Sequence, residues 1–224
     1  KNIILLVGLI VLGLIIVIFF LSPSQQSSDL SDNINASRDL SSNVSFTGNV
    51  SAEIPGDHVL GSYNSENTII EYASLTCPHC AIFHGEVFPK IKSELIDKGK
   101  VKYIFRDFPI DPLAMAGSMI AHCSGDSKYF GVIDVLLKTQ DEWLFDNENP
   151  YNGLLKVARL AGLSEENVKV CLSDNELFSM IEGNQKLASS RFGVNGTPAI
   201  FVNNKKISSL NFDTIMAELG IAAD

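Results

Sequence analysis

Two cysteines separated by a proline and a histidine, Cys77-Pro78-His79-Cys80, are the residues of this chain best suited to covalent chemistry. They follow an apolar run, Thr68 to Ser74, whose β-branched and aromatic side chains read as a strand. After them Ile82, Phe83, Val87, Phe88, Ile91 and Leu95 recur at helical spacing. Cys77 is therefore expected where a strand turns into a helix. There it faces unpaired backbone N–H groups and the positive end of the helix dipole, which favour a thiolate over a thiol. Pro78 falls in the first turn, where its missing N–H costs nothing. A protonated His79 adds positive charge beside the sulfur and depresses its pKa below the free-thiol value of about 8.5. Cys80, one turn further in, is within reach to close a disulfide. The same residues leave a second reading open, a metal-binding module in which Cys77, Cys80 and His84 supply three zinc ligands. No second cysteine pair with ligand spacing follows.

Far downstream, Val194-Asn195-Gly196-Thr197-Pro198 leads into the apolar run Ala199 to Val202. This is a place suited to a cis X-Pro bond, because proline alone lowers the cost of the cis form enough. The two motifs together resemble the thioredoxin superfamily, and the Cys-Pro-His-Cys choice resembles its DsbA-like branch of thiol-disulfide oxidoreductases. The resemblance covers about residues 57 to 221. It implies that Cys77 is the attacking and attacked sulfur, exposed at the helix start, and that Cys80 is its buried resolving partner. It also implies that Thr197 and Pro198 lie against the pair, with the Thr197 backbone free to take an extended substrate as an added strand. Glu71 stands where related proteins carry a buried acid below the disulfide, which would shuttle the Cys80 proton. An edge-exposed Glu71 remains open at this point. Where similar oxidases often place an acid seven residues after the first cysteine, this chain has His84, so an acid cluster is not carried over.

What the resemblance implies about function is a dithiol oxidase that donates its Cys77–Cys80 disulfide to reduced substrate proteins, without a cofactor or metal. Reoxidation would fall to a DsbB-like membrane reoxidase or an equivalent. A disulfide isomerase or reductase on the same fold is the nearest alternative. Isomerases generally need a dimer or trimer to form a client cleft, and no separate dimerisation segment is evident, so a monomer is expected.

Charge and composition narrow the setting. The 224 residues carry a net charge of −9, with 17 basic against 26 acidic side chains and no basic cluster, which argues against nucleic acid as a partner. Ile3 to Leu21 is a run of roughly 19 residues without a charge, long enough to cross a bilayer as a helix. The sequence Phe19-Phe20-Leu21-Ser22-Pro23 lacks the small-residue pattern of a cleavage site. An uncleaved anchor with the body exported to a periplasmic or similar extracytoplasmic space is expected, and a cleaved signal is the alternative. Residues 22–55 are rich in Ser, Asn, Asp and Gln and read as a flexible tether.

The elements that must position the motifs follow in order. His58 to Tyr63 reads as a first short strand, Val101 to Pro109 as the strand after the active-site helix, ending at the proline, with Lys98-Gly99-Lys100 as the stop between. Between Asp111 and Phe192 the apolar periods predict five helices and no strand. A hairpin of Ala199–Val202 and Lys206–Ser208 turns at Asn203-Asn204, and Phe212 to Leu219 closes with an amphipathic helix. The expected architecture is an α/β thioredoxin fold, residues 56–110 and 193–224, interrupted by a helical domain at 111–192 and preceded by an anchor at 1–21 and a linker at 22–55. Cys123 and Cys171 fall on apolar faces of that insertion; a structural disulfide between them is the preferred reading, and two buried free thiols the alternative.

Overall fold

The computed structural model describes residues 48–145 and 149–221. The anchor expected at residues 1–21 and most of the tether lie outside the described residues. Among the described residues no helix is long and apolar enough to cross a membrane.

The chain opens with β1 (His58–Gly61) and β2 (Thr68–Ala73), then helix α1 (Pro78–Glu86) and the single turn α2 (Phe88–Ile91). A widened turn at Lys92–Ile96 leads to β3 (Lys102–Asp107). Six helices follow: α3 (Pro112–Cys123), α4 (Asp126–Lys138), α5 (Gln140–Leu144), α6 (Pro150–Leu160), α7 (Glu165–Leu172) and α8 (Asn175–Phe192). The chain then returns through β4 (Ala199–Val202), β5 (Lys205–Lys206) and α9 (Phe212–Leu219). The strands form one sheet in the order β1-β3-β2-β4-β5. β2 runs parallel to β3 and antiparallel to β4, and every residue of β2 is buried. A strand buried on both faces explains why Thr-Ile-Ile-Glu-Tyr-Ala reads as continuous rather than alternating.

Alternation along β2 nevertheless sorts the two cores. Ile69 and Ala73 point into the larger core with α1, α4 and α6, while Ile70 and Tyr72 point to the smaller one with Val50, Phe201 and Ala188 of α8. Glu71 shares the face of Ile69 and Ala73, so the acid is carried under the active-site helix and not to a sheet edge.

Three expectations need correction. The tether does not extend to residue 55: Val50 is buried, and Arg106 donates to the carbonyls of Val50 and Ala52 and pairs with Asp57 at 2.7 Å. A buried guanidinium needs that many acceptors, and the polar segment supplies them through its backbone, which composition does not reveal. The second hairpin strand is Lys205–Lys206, not Lys206–Ser208, because Asn203 and Asn204 both take positive φ (46° and 73°) and place Lys205 directly opposite Val202. Among the described residues the insertion holds six helices where five were expected. The extra one, α5, spans too few residues to show a period; it packs so closely on α6 that a Cβ at Gly153 would lie 2.6 Å from the Trp143 Cα.

Cys123 at the end of α3 and Cys171 in α7 are joined by a disulfide, at a sequence separation of 48. In the chain-entropy account, closing a loop of 48 residues restricts the unfolded chain by about 4 kcal/mol. Replacing both cysteines by alanine should lower the free energy of unfolding by about that amount, read from urea denaturation with the Cys77–Cys80 pair held in one redox state.

Candidate active site

Cys77 is the N-cap of α1, with extended backbone (φ −83°, ψ 118°), and Pro78 follows as the first helical residue. The turn before it is held from three sides. The Cys77 N–H donates to the Ser74 carbonyl at 3.1 Å. The Thr76 hydroxyl donates to Asp111 Oδ2 at 2.5 Å, and Asp111 also caps α3. The Gln140 amide donates to the carbonyls of Leu75 and Cys77, at 2.8 and 3.1 Å. The helical insertion thus supplies two of the three holds on the cysteine loop.

Both cysteines are free thiols here, and both are buried. This corrects the expectation that Cys77 is exposed: it retains 5 % of its surface and Cys80 none. The cover comes from the Thr197 segment, whose carbonyl oxygen lies 3.3 Å from the Cys77 Sγ. Pro78 and His79, between the cysteines, are exposed instead. The Thr197–Pro198 bond is cis. The two motifs, widely separated in sequence, therefore meet at one sulfur.

The two thiols hold their protons very differently. Cys77 is lowered from 9.0 to about 5. The largest cause is the hydrogen bond from the Cys80 thiol; the Thr197 side chain and the backbone N–H groups of Cys80 and His79 add to it, against the cost of burial. The Thr197 carbonyl accepts only from the thiol form, so it opposes this shift and is outweighed by the donors. What His79 gives the sulfur is its backbone N–H. Burial pushes the Cys80 thiol far up, with the hydrogen bond to Cys77 and the charge of Glu71 acting in the same sense.

Glu71 is fully buried, and its Oε2 lies 3.0 Å from His84 Nε2 and accepts from the Tyr103 hydroxyl. The sequence leaves Glu71 between core and edge, offers His84 only as a zinc ligand or as the residue at the family's acid position, and gives no role to Tyr103 or Gln140. His84 is 2 % exposed. Its helical position, seven residues after Cys77 and on the face of Cys80, was the available signal. For Gln140, which stands among Lys138, Thr139, Asp141 and Glu142, there was none. His84 spends its Nε2 on Glu71, and among the described residues no three acidic, cysteine or histidine side chains converge as metal ligands.

A cysteine at a strand-to-helix turn with a second, buried cysteine one helical turn on, beside a cis proline at the end of a five-stranded mixed sheet, is the arrangement of a dithiol–disulfide exchange protein on a thioredoxin scaffold. Residues 53–219 match the thioredoxin family model. The chain belongs to the thioredoxin superfamily, in its DsbA-like branch. It is similar to α-DsbA1 of Wolbachia pipientis, with 31 % identity and a TM-score of 0.69 over 75 % of this chain and 93 % of that one. BdbD of Bacillus subtilis in its oxidised form gives 26 % identity and a TM-score of 0.55 over 75 % of this chain and 95 % of that one. A provisionally named protein-disulfide oxidoreductase of Rickettsia bellii is 34 % identical over 75 % of this chain; the chain spans 65 % of that relative's length.

Two outcomes are expected. Thiolate absorbance of the reduced protein should titrate with a midpoint of about 5, and Thr197→Val should raise that midpoint without restoring the ordinary value, since the Cys80 donor remains. The depressed Cys77 pKa stabilises the folded reduced protein fully above the ordinary thiol value of 9.0, and that stabilisation is lost as pH falls through about 5. The Tm of the reduced form relative to the disulfide form should therefore climb between pH 5 and 9, and a flat difference would contradict the assignment.

Proposed function

We propose that this protein is an extracytoplasmic thiol oxidase that passes its Cys77–Cys80 disulfide to reduced client proteins. The observation that carries the reading is the placement of the pair: Cys77 caps the start of α1 against the Thr197 segment while Cys80 lies fully buried one turn in, which lowers the first thiol's pKa to about 5 and pushes the second up. A dithiol that is content in its reduced form gives its disulfide away readily.

A client thiolate attacks the Cys77 Sγ, and the Cys77–Cys80 bond breaks with its electron pair on Cys80, which takes a proton. The client's second thiolate then attacks its own sulfur in the mixed disulfide. The client leaves oxidised by two electrons, and Cys77 leaves as the thiolate that its hydrogen bonds favour. The Thr197 backbone supports binding of an extended client segment beside the sulfur. Glu71, fully buried and with its charge acting on the Cys80 thiol, suits the role of shuttling that proton.

Reoxidation requires an electron acceptor, and a DsbB-like membrane reoxidase suits that role. The uncharged run from Ile3 to Leu21 would hold the domain at the membrane where such a partner resides. Working as a monomer, the protein would lack the shared cleft by which isomerases hold misbridged clients.

The disulfide form of the full chain, mixed with a reduced peptide carrying two cysteines, should oxidise the peptide in stoichiometric amount. Cys77→Ser should abolish this, and Cys80→Ala, converted to a Cys77 mixed disulfide with glutathione, should exchange it for a peptide adduct seen by mass. Equal peptide oxidation by Cys77→Ser would defeat the proposal.

A further inference from the structure

Cys77 has to leave the strand and enter the helix while keeping its sulfur among the first-turn N–H groups of α1. Its backbone is extended, with φ −83° and ψ 118°, and Pro78 beside it is already helical. Each peptide unit is planar, so the torsions at Thr76 and Cys77 decide where the sulfur points. Three successive peptide units enclose those torsions, and each of them is anchored. The middle one is held by the Cys77 N–H on the Ser74 carbonyl at 3.1 Å. The outer two carry the Leu75 and Cys77 carbonyls, and the Gln140 amide nitrogen donates to both, at 2.8 and 3.1 Å.

Both partners are acceptors, so the nitrogen of the amide has to face them, and each of its two hydrogens takes one carbonyl. Leu75 is fully buried and Cys77 nearly so, which denies water the place of the amide. Gln140 is itself buried, and the short helix that carries it is wedged in position. Trp143 Nε1 donates to the Leu136 carbonyl at 2.7 Å, and Gly153 of α6 packs against the Trp143 backbone. The Cys77 carbonyl also accepts from the N–H groups of Cys80 and Ala81, at 3.0 and 3.2 Å, so α1 can begin without Gln140. What the side chain adds is the hold on the unit before the cysteine, tied through one nitrogen to the unit after it.

We propose that Gln140 is a positioning residue for the exchange chemistry: by bridging the carbonyls on either side of the cysteine turn it keeps the Cys77 sulfur on the first-turn N–H groups, and so sets how strongly the pair oxidises. The proposal rests on the dithiol chemistry above and assigns part of its control to the helical insertion. The N–H groups of Cys80 and His79 reward the thiolate and not the thiol, so a looser turn weakens the anion selectively. Gln140 touches neither sulfur; it acts through the backbone of Cys77.

The experiment is a pH titration of thiolate absorbance on the reduced full chain, paired with equilibration of the Cys77–Cys80 couple against glutathione, for the wild type, Gln140→Met and Gln140→Asn. Methionine fills a similar space and has no donor; asparagine keeps the amide on a shorter stem that reaches one carbonyl at most. Gln140→Met should make the thiolate about three- to tenfold harder to form, on the order of one net hydrogen bond. At neutral pH the reduced pair rests as the thiolate, since Cys77 titrates at about 5. The equilibrium with glutathione should therefore move toward the disulfide by the same factor, about 15–30 mV. Gln140→Asn should fall between the wild type and Gln140→Met in both measurements. A side chain that only fills space gives the opposite order, because asparagine leaves the larger gap, and that order overturns the proposal. A wild-type midpoint in Gln140→Met overturns it too, as does a potential that moves without the midpoint, which places the disturbance in the disulfide form. Where Gln140→Met fails to fold, Gln140→Asn decides: a raised midpoint with a matching potential supports the hold, and a wild-type midpoint overturns it. A wild type whose Cys77 titrates like an ordinary thiol would sink the oxidase reading itself, a result separate from any difference among the Gln140 variants.

Discussion

The hydrogen bond between the two active-site sulfurs is the interaction from which the rest of the site takes its meaning. It runs from a thiol that burial prevents from ionising to a thiolate that the helix start and the Thr197 hydroxyl favour. A donor and an acceptor of the same chemical type have been made unequal by position alone. The first sits at the cap of a helix, and the second lies one turn in, above a buried carboxylate.

That inequality depends on placement to within fractions of an ångström, and the fold supplies it by bracing. β2 brings both Glu71 and the cysteine turn into position, because it is the central strand with partners on both edges. The insertion is more than a cover over the sheet. Gln140 holds the Cys77 carbonyl, and Asp111 ties the turn to the start of α3. The Cys123–Cys171 bridge closes the loop that carries Gln140 and ties it to the end of α3. Behind the sheet, Arg106 gathers the first described residues against β3 and seals the smaller core.

Much of this was legible in the amino-acid order, for reasons that differ by element. The Cys-Pro-His-Cys turn and the Gly-Thr-Pro turn carry local constraints, a helix cap and a cis bond, so each could be read alone, and their meeting at Cys77 followed from resemblance. The buried strand and the long helices showed through their apolar periods. Contacts made through backbone atoms did not show. Val50 and Ala52 are anchored by their carbonyls, and Cys77 is covered by the Thr197 carbonyl, so neither the early start of the packed domain nor the burial of Cys77 leaves a mark in residue type. Polar side chains that become buried were the other blind spot. His84 and Gln140 are common on exposed helix faces, and only the three-dimensional meeting of α1, β2 and α5 decides that they lie inside. Glu71 was ambiguous for the same reason: strand alternation gives it a face, and only the packing of α1 and β3 against it decides that His84 and Tyr103 cover that face.

The division of protons between two adjacent sulfurs is the central claim, and the reduction potential of the Cys77–Cys80 couple, measured by equilibration with glutathione, tests it most directly. A thiolate this well held should make the couple strongly oxidising, above about −180 mV and toward the −120 mV of DsbA. A potential near the −270 mV of thioredoxin would mean that the disulfide is the preferred state, and would contradict the account.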